Sequence, residues 1–236
     1  MSVERAAARP EDLREDLRED LRETAPARGD VAEPLGDLRF RSLLSDAEWA
    51  RLPPAVRRRF SKRLAAGGTA VYTGEVVEAR MSRAGWLLAQ ALRLIGGPLP
   101  TGRDAGVPAV VSVTEDASVG GQVWTRVYGR RSAFPQVVHS RKLFRGPTGL
   151  EEHVRCGLGM TLKVAAEERA LVFRSGRYFI GVGRWRVTLP AWATPGALTV
   201  RHIQESDDRF TFSLEVVHPR LGLLIRQVAA FRDSAA

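Results

Sequence analysis

The sequence is poor in cysteine, in lysine and in long apolar runs, and each scarcity excludes something. Its one cysteine, Cys156, has no internal partner for a disulfide, which agrees with a reducing compartment. The uncharged, largely apolar stretch from Gly85 to Leu92, which Arg93 interrupts, is far below the roughly 20 residues that span a bilayer. No transmembrane helix is expected. The first residues, MSVERAAARPEDLRED, are charged throughout and lack the apolar centre of a secretory signal, so a cytoplasmic location is expected.

Lysine supplies only Lys62, Lys142 and Lys163 of the 36 basic residues and arginine the rest, a bias that looks like the codon usage of a GC-rich genome. The net charge of +9 and pI near 10.8 invite a nucleic-acid reading, since clustered cations release counterions from phosphates. Their distribution argues against it. Residues 1–36 hold six Arg and ten acids, net −4, and the +13 that remains is scattered through strand-like segments as well as one helix. Nucleic acid is not expected as a partner.

Cofactor and catalytic signatures are missing too. There is no G-x-x-x-x-G-K-[ST], no G-x-S-x-G, no H-E-x-x-H, and no G-x-G-x-x-G between a strand and a helix. No cofactor is expected. The four histidines, His139, His153, His202 and His218, are scattered; only His153 and Cys156 have a spacing that two ligands of one metal could use, and zinc takes three or four. No metal site is expected either.

What is present begins with a tail. EDLREDLREDLRET places Leu13, Leu17 and Leu21 on one helical face among opposite charges at i,i+4 spacing, as either a docking helix or a solvated low-complexity segment. Pro26, Gly29, Pro34 and Gly36 then break any helix. This sets residues 1–37 as charged tail and linker and residues 38–232 as a single β-rich domain, which 44% hydrophobic content can supply with a full core. Ser45-Asp-Ala-Glu48 has capping-box spacing and predicts a helix start. Pro53 and Pro54 suit the start of a further turn, and Leu52, Val56, Phe60 and Leu64 carry an apolar stripe to Gly67-Gly68. The arginines of RRRFSKR fall mostly off that stripe, as on a solvated helix face.

TAVYTGEVVEA alternates as a strand, and SRAGWLLAQALRLIGG carries apolar residues round most of its circumference, which predicts a buried helix. From Pro108 nine β-rich runs follow: PAVVSVTE, GQVWTRVYG, PQVVHSRKLF, MTLKVAA, RALVFRSG, RYFIGVGRWRVTL, LTVRHIQES, RFTFSLEVV and LLIRQVAAFR. Strands joined by short turns are antiparallel neighbours, and so wide a sheet curls. The predicted fold class is α+β, mainly β: a curled antiparallel β-sheet, half-barrel or calycin-like barrel, with two or three N-terminal helices packed on it. Such a sheet can enclose a cavity.

Side chains alternate across a sheet, so Trp124, Arg126 and Tyr128 share one face. Because buried charge is tolerated chiefly at functional sites, this row could line a pocket for an anionic or carbonyl-bearing ligand. The alternative puts Arg126 on the solvent face with its stem over Trp124. Glu205 and Arg226 could pair if both point inward. His139, and Glu152 within Glu151-Glu152-His153, are candidate proton carriers.

Several segments in order, LPPAVRRRF (52–60), GGTAVYTGEV, VPAVVSV with VWTRVYG, Gly149-Leu-Glu-Glu152, WRVTLPAWATPG (185–196), Glu205 and RFTFSLEVVHPRLGLLIR (209–226), carry a resemblance to a known family. Over roughly residues 40–232 the chain resembles a bacterial domain-of-unknown-function family, numbered 4166, often found behind saccharopine-dehydrogenase-like or short-chain reductases. It departs from the family pattern at Phe60, where the family usually has His, and at Arg226-Gln-Val-Ala, where the family ends in a Tyr-x-Gly type of strand. The resemblance implies the fold and the pairing of Trp124 with Arg126 but no activity.

Three functions are carried forward. The first is binding of a small hydrophobic molecule, such as a lipid or a polyketide-like metabolite of secondary metabolism, in a cavity between the sheet and the helix around Trp86. Trp86, Trp124 and Tyr128 would then supply apolar contact, and Arg126, Glu205 or Arg226 the orienting polar contacts. The second is a cofactor-independent cyclase or isomerase in which His139 or Glu152 moves a proton. The third is a non-catalytic accessory domain of a reductase.

Overall fold

The computed structural model describes residues 36–233 apart from positions 63, 65–67, 95, 97–98 and 183–184. The LRED repeat and most of the expected linker lie outside the described residues.

Eleven strands follow one another: β1 (Thr69–Met81), β2 (Val107–Asp116), β3 (Gly121–Tyr128), β4 (Gln136–Leu143), β5 (Glu151–His153), β6 (Leu158–Glu167), β7 (Ala170–Val182), β8 (Trp185–Thr188), β9 (Ala197–Gln204), β10 (Arg209–His218) and β11 (Gly222–Arg232). Ten of them close into an antiparallel barrel, β1-β2-β3-β4-β5-β6-β7-β9-β10-β11 and back to β1, with β8 as one outer strand. Of the two architectures open in the sequence, the closed barrel is the one adopted. Closure pairs the strand edges that a half-barrel would leave bare.

The strand boundaries differ from expectation at two places. The runs RALVFRSG and RYFIGVGRWRVTL are re-divided, because β7 continues through Gly176 and β8 is separate. Ser175-Gly-Arg is a bend at a bulge: Leu162 pairs with Ser175 and Met160 with Tyr178, so two residues of β7 face Thr161 alone. The Thr161 hydroxyl accepts from the Arg177 backbone N–H at 2.9 Å and fills the gap in the ladder. The long β7 then gives its first half to β9 and its last residues to β8. The second difference is β5, three residues with two acids and a histidine, which no apolar alternation announces.

The N-terminal segment closes one end. Ser45 and Glu48 form the expected capping box at the start of α1 (Asp46–Arg51). Pro54 opens a separate helix α2 (Pro54–Phe60), which stops at Phe60, short of Gly67. Phe40, Leu52, Val56 and Phe60 are buried. Phe60 meets Phe40 edge-on at 5.0 Å between ring centres and His202 at 5.1 Å. The RRRFSKR segment is not uniformly solvated. Arg59, its side chain 5% exposed, turns inward over the Phe210 ring at 4.2 Å and donates from Nε to His202 Nε2 at 3.1 Å. Its remaining nitrogens donate to Gln204 Oε1 and the Asp233 carboxylate.

At the other end, α3 (Arg83–Arg93) crosses the start of β11. Its first turn is capped by Ser82, whose hydroxyl accepts from the Gly85 N–H at 3.0 Å. It is not the fully buried helix that its apolar circumference suggests. Gly85 and Ala89 are buried, whereas Trp86, Leu87 and Leu94 are exposed. Small residues on the buried side let the backbone lie directly on the barrel: a Cβ at position 85 would sit 2.1 Å from the Leu224 carbonyl oxygen.

Candidate ligand-binding cavity

An eight-stranded barrel is just wide enough for its own side chains or one small ligand, so ten strands leave room inside. The space left here is about 530 Å³. Trp124, Phe173, Phe212 and Phe231 reach it from the closed end, and Leu88 and Leu92 of α3, with Leu189 and Trp192, line it from the other. Val111, Val138, Met160, Leu214 and Ala229 contribute to its sides.

One wall departs from this apolar lining. The alternation of β3 turns Trp124, Arg126 and Tyr128 to the cavity, and that of β4 turns Val138, Ser140 and Lys142 the same way. Glu152 of β5 lies directly across from Lys142 in the ladder. Lys142 Nζ donates to Glu152 Oε2 at 3.1 Å, and Arg126 Nη2 lies 3.7 Å from Glu152 Oε1. Arg126 Nη1 donates to Ser140 Oγ at 3.1 Å. The Lys142 ammonium sits 5.0 Å from the Trp124 ring centre and 5.5 Å from that of Phe173, so two aromatic faces support its charge.

Burial by itself raises the Glu152 pKa, but the charges of Lys142 and Arg126 and bonds from Ser140 and Lys142 overcome it and hold the carboxyl at about 2. Burial lowers Lys142 from its ordinary range, with Glu152 opposing that shift. Burial likewise raises the Tyr128 phenol, and it pushes Tyr178, whose hydroxyl donates to the Gly196 carbonyl at 3.0 Å, to about 12.

The residues singled out in the sequence separate into two groups. Trp124, Arg126, Tyr128 and Glu152 converge on the cavity. Trp86 does not line it; Leu88 and Leu92 do, because residues two apart on a helix point about 200° from one another. His139 is exposed on the outer face, with Nδ1 3.0 Å from Thr125 Oγ1. Glu205 is exposed at the end of β9. Arg226 is on the outer face, where it donates to Glu78 at 3.2 Å and also pairs with Glu215, so Glu205 and Arg226 do not meet. Lys142 and Ser140 were missed. Their signal was the period-two match to Val138, which competes in PQVVHSRKLF with the equally plausible set Val137, His139 and Arg141.

Glu151, next to Glu152, faces the other way. Arg186 of β8 grips both its oxygens, Nη1 to Oε1 at 2.6 Å and Nη2 to Oε2 at 2.9 Å, while His153 and Arg145 approach Oε2 at 2.9 and 3.2 Å. Among the described residues no three His, Cys, Asp or Glu side chains gather into a metal-holding group, and no helix is long and apolar enough to cross a membrane.

The sequence profile described as "Domain of unknown function (DUF4166)" matches residues 52–231, a stretch that takes in α2, α3 and nearly all of the barrel. No curated protein and no solved structure matches the chain.

Proposed function

The chain belongs to the DUF4166 family of domains of unknown function, and from that premise we propose that its barrel binds a small, largely apolar molecule in the interior cavity. The observation that carries this reading is an apolar space of about 530 Å³ with its charged groups confined to one wall. Ligand pockets typically have volumes of roughly 300–1,000 Å³, mostly apolar linings and a few placed polar groups that fix orientation. The protonation state of Glu152 supports binding over proton transfer: a carboxyl held at about 2 is a weak base near neutral pH. His139 opens on the outer face and reaches no molecule held inside.

Two measurements test the reading. Native mass spectrometry of the purified protein is expected to reveal a retained small molecule. Titration with the neutral fluorophore N-phenyl-1-naphthylamine is expected to saturate at one equivalent. Ala229→Trp, which puts an indole into the cavity from β11, is expected to abolish that signal while the far-ultraviolet circular dichroism stays that of the folded barrel. Saturable binding that survives the cavity-filling substitution would place the ligand elsewhere, and no saturable binding by the wild type would overturn the proposal.

A further inference from the structure

The charges that line the cavity do not balance. Arg126 and Lys142 are its two cations and Glu152 its one acid among the described lining residues. Glu152 is engaged by Lys142 at 3.1 Å, and Lys142, its side chain only 5% exposed, is enclosed by that carboxylate and by the Trp124 and Phe173 rings. Arg126 is placed differently. Its near approach to Glu152 is 3.7 Å, longer than a hydrogen bond, and the group it bonds is the neutral Ser140 hydroxyl. Its side chain remains 19% exposed and lines the cavity.

On the outer face, arginines are matched more fully. Arg226 lies between Glu78 and Glu215, Arg201 pairs with Glu215, and Arg186 grips Glu151 with two nitrogens. A guanidinium has five N–H donors in a planar fork suited to two oxygens of one anion. An unbalanced positive charge facing an apolar space is unfavourable until something neutralises it. Tyr128, two residues further along the same strand face, also lines the cavity, and the guanidinium carbon lies 5.7 Å from the Trp124 ring centre.

Resting on the cavity-binding reading, we infer that the ligand is an amphipathic anion: an apolar body that fills the barrel and a carboxylate, sulfonate or comparable acid group seated on Arg126. A neutral carbonyl would accept a hydrogen bond from the same guanidinium but would leave the charge unmatched. The ligand's acid completes a two-cation, two-anion wall in which Glu152 holds Lys142 and the ligand holds Arg126.

The test uses two probes with the same ring system, 1-anilinonaphthalene-8-sulfonate, which carries a sulfonate, and N-phenyl-1-naphthylamine, which does not. Both are titrated into the full chain at pH 7.5 and then competed against each other. The anionic probe is expected to bind more tightly by about tenfold or more, the scale of one charge-assisted hydrogen-bonded contact, and to displace the neutral one. In Arg126→Met the ratio of the two affinities is expected to fall to about one, through loss of the anionic probe's advantage; Arg126→Lys, which keeps the charge without the fork, is expected to lie between. If Arg126→Met fails to fold, the wild-type ratio and Arg126→Lys decide. Equal affinities in the wild type, or a preference that survives Arg126→Met, would overturn the anion assignment and leave the cavity reading standing. Failure of both probes to bind would remove the cavity reading itself.

Discussion

Glu151 and Glu152 are consecutive in β5, point to opposite faces of the barrel wall, and are each held by cations on their own side: Arg186 outside, Lys142 inside. Strand alternation makes this possible, because adjacent side chains leave the backbone in opposite directions. A strand of three residues has few ladder bonds of its own. Its two carboxylates fasten it inward to β3 and β4 and outward to β8. Burial opposes ionisation at both, and the paired cations prevail, so both are held at about 2.

The first prediction is an acid limb in stability. Glu152 titrates at about 2 in the native chain against 4.5 ordinarily, so its folded pKa is depressed. A depressed carboxyl adds stability that is present above the unfolded pKa and lost as pH falls from about 4.5 toward 2, where the native state must take up the proton. Its side chain is 9% exposed, and the gap corresponds to about 3 kcal/mol. Urea denaturation at pH 7, 5, 4 and 3 is expected to show that decline, and Glu152→Gln to flatten it. At pH 7 the same substitution is expected to destabilise the barrel by about 3–5 kcal/mol, since it removes the carboxylate paired with the buried Lys142 and leaves the wall two cations and no acid among the described lining residues. An unchanged acid limb in the variant would refute the assignment.

The second prediction concerns β8. Its tie to β5 is the two-pronged grip of Arg186 on Glu151. Glu151→Gln is expected to raise amide hydrogen exchange at Trp185–Thr188 while leaving β3 and β4 protected and probe affinity within about twofold. Exchange that rises equally across β3, β4 and β8 would mean that Glu151 supports the barrel as a whole rather than its outer strand.

What the sequence disclosed about this wall follows from the arithmetic of alternation. A period of two establishes that Trp124, Arg126 and Tyr128 share a face, but not which face, since Val123, Thr125 and Val127 are as suited to an interior. Closure of the barrel settles it. On β11 the parity was obscured because Leu224 and Ile225, consecutive where α3 lies on the strand, are both buried, so apolar residues appear on both sides and Arg226 reads as inward or outward equally well. The run of β5 gave no apolar pattern at all, because what holds it is charge. The helix of Trp86 was recognisable by its pattern, yet its seating depended on Gly85 and Ala89, whose small size marks the contact side less visibly than the leucines around them.

A third prediction comes from the closed end. His202 is buried between the Phe210 and Phe60 rings, and burial with the Arg59 charge pushes its pKa well below 6.5. Arg59 donates to Nε2, which assigns the ring proton to Nδ1, a buried atom without a hydrogen-bond partner among the described residues. The folded pKa is depressed, so stability is greatest above about 6.5 and falls as acid protonates the unfolded chain but not the native one. Imidazole carbon-bound proton signals of His202 are expected to stay fixed from pH 8 to 5. His202→Phe is expected to remove the part of the stability slope that begins near pH 6.5. A His202 resonance that titrates in the native protein above pH 6 would contradict this.

The last prediction tests how the mouth of the cavity is held. Gly85 allows α3 to lie against β11 so closely that an added Cβ would stand 2.1 Å from the Leu224 carbonyl oxygen and 3.2 Å from Ile225 Cγ1. The obstacle is backbone, so it cannot swing aside as a side-chain tip would. Gly85→Ala must therefore displace α3, and with it Leu88 and Leu92, the two leucines it contributes to the cavity lining. Alanine has the higher intrinsic helix propensity, by about 1 kcal/mol, so a helix that merely rested on the surface would be stabilised by this change. The seated helix is expected to respond in the opposite sense: lower overall stability, and faster dissociation of N-phenyl-1-naphthylamine by stopped-flow displacement with little change in its association rate, since most affinity changes of this kind appear in the off-rate. Gly85→Ala with a raised melting temperature and an unchanged off-rate would show that α3 does not retain the ligand.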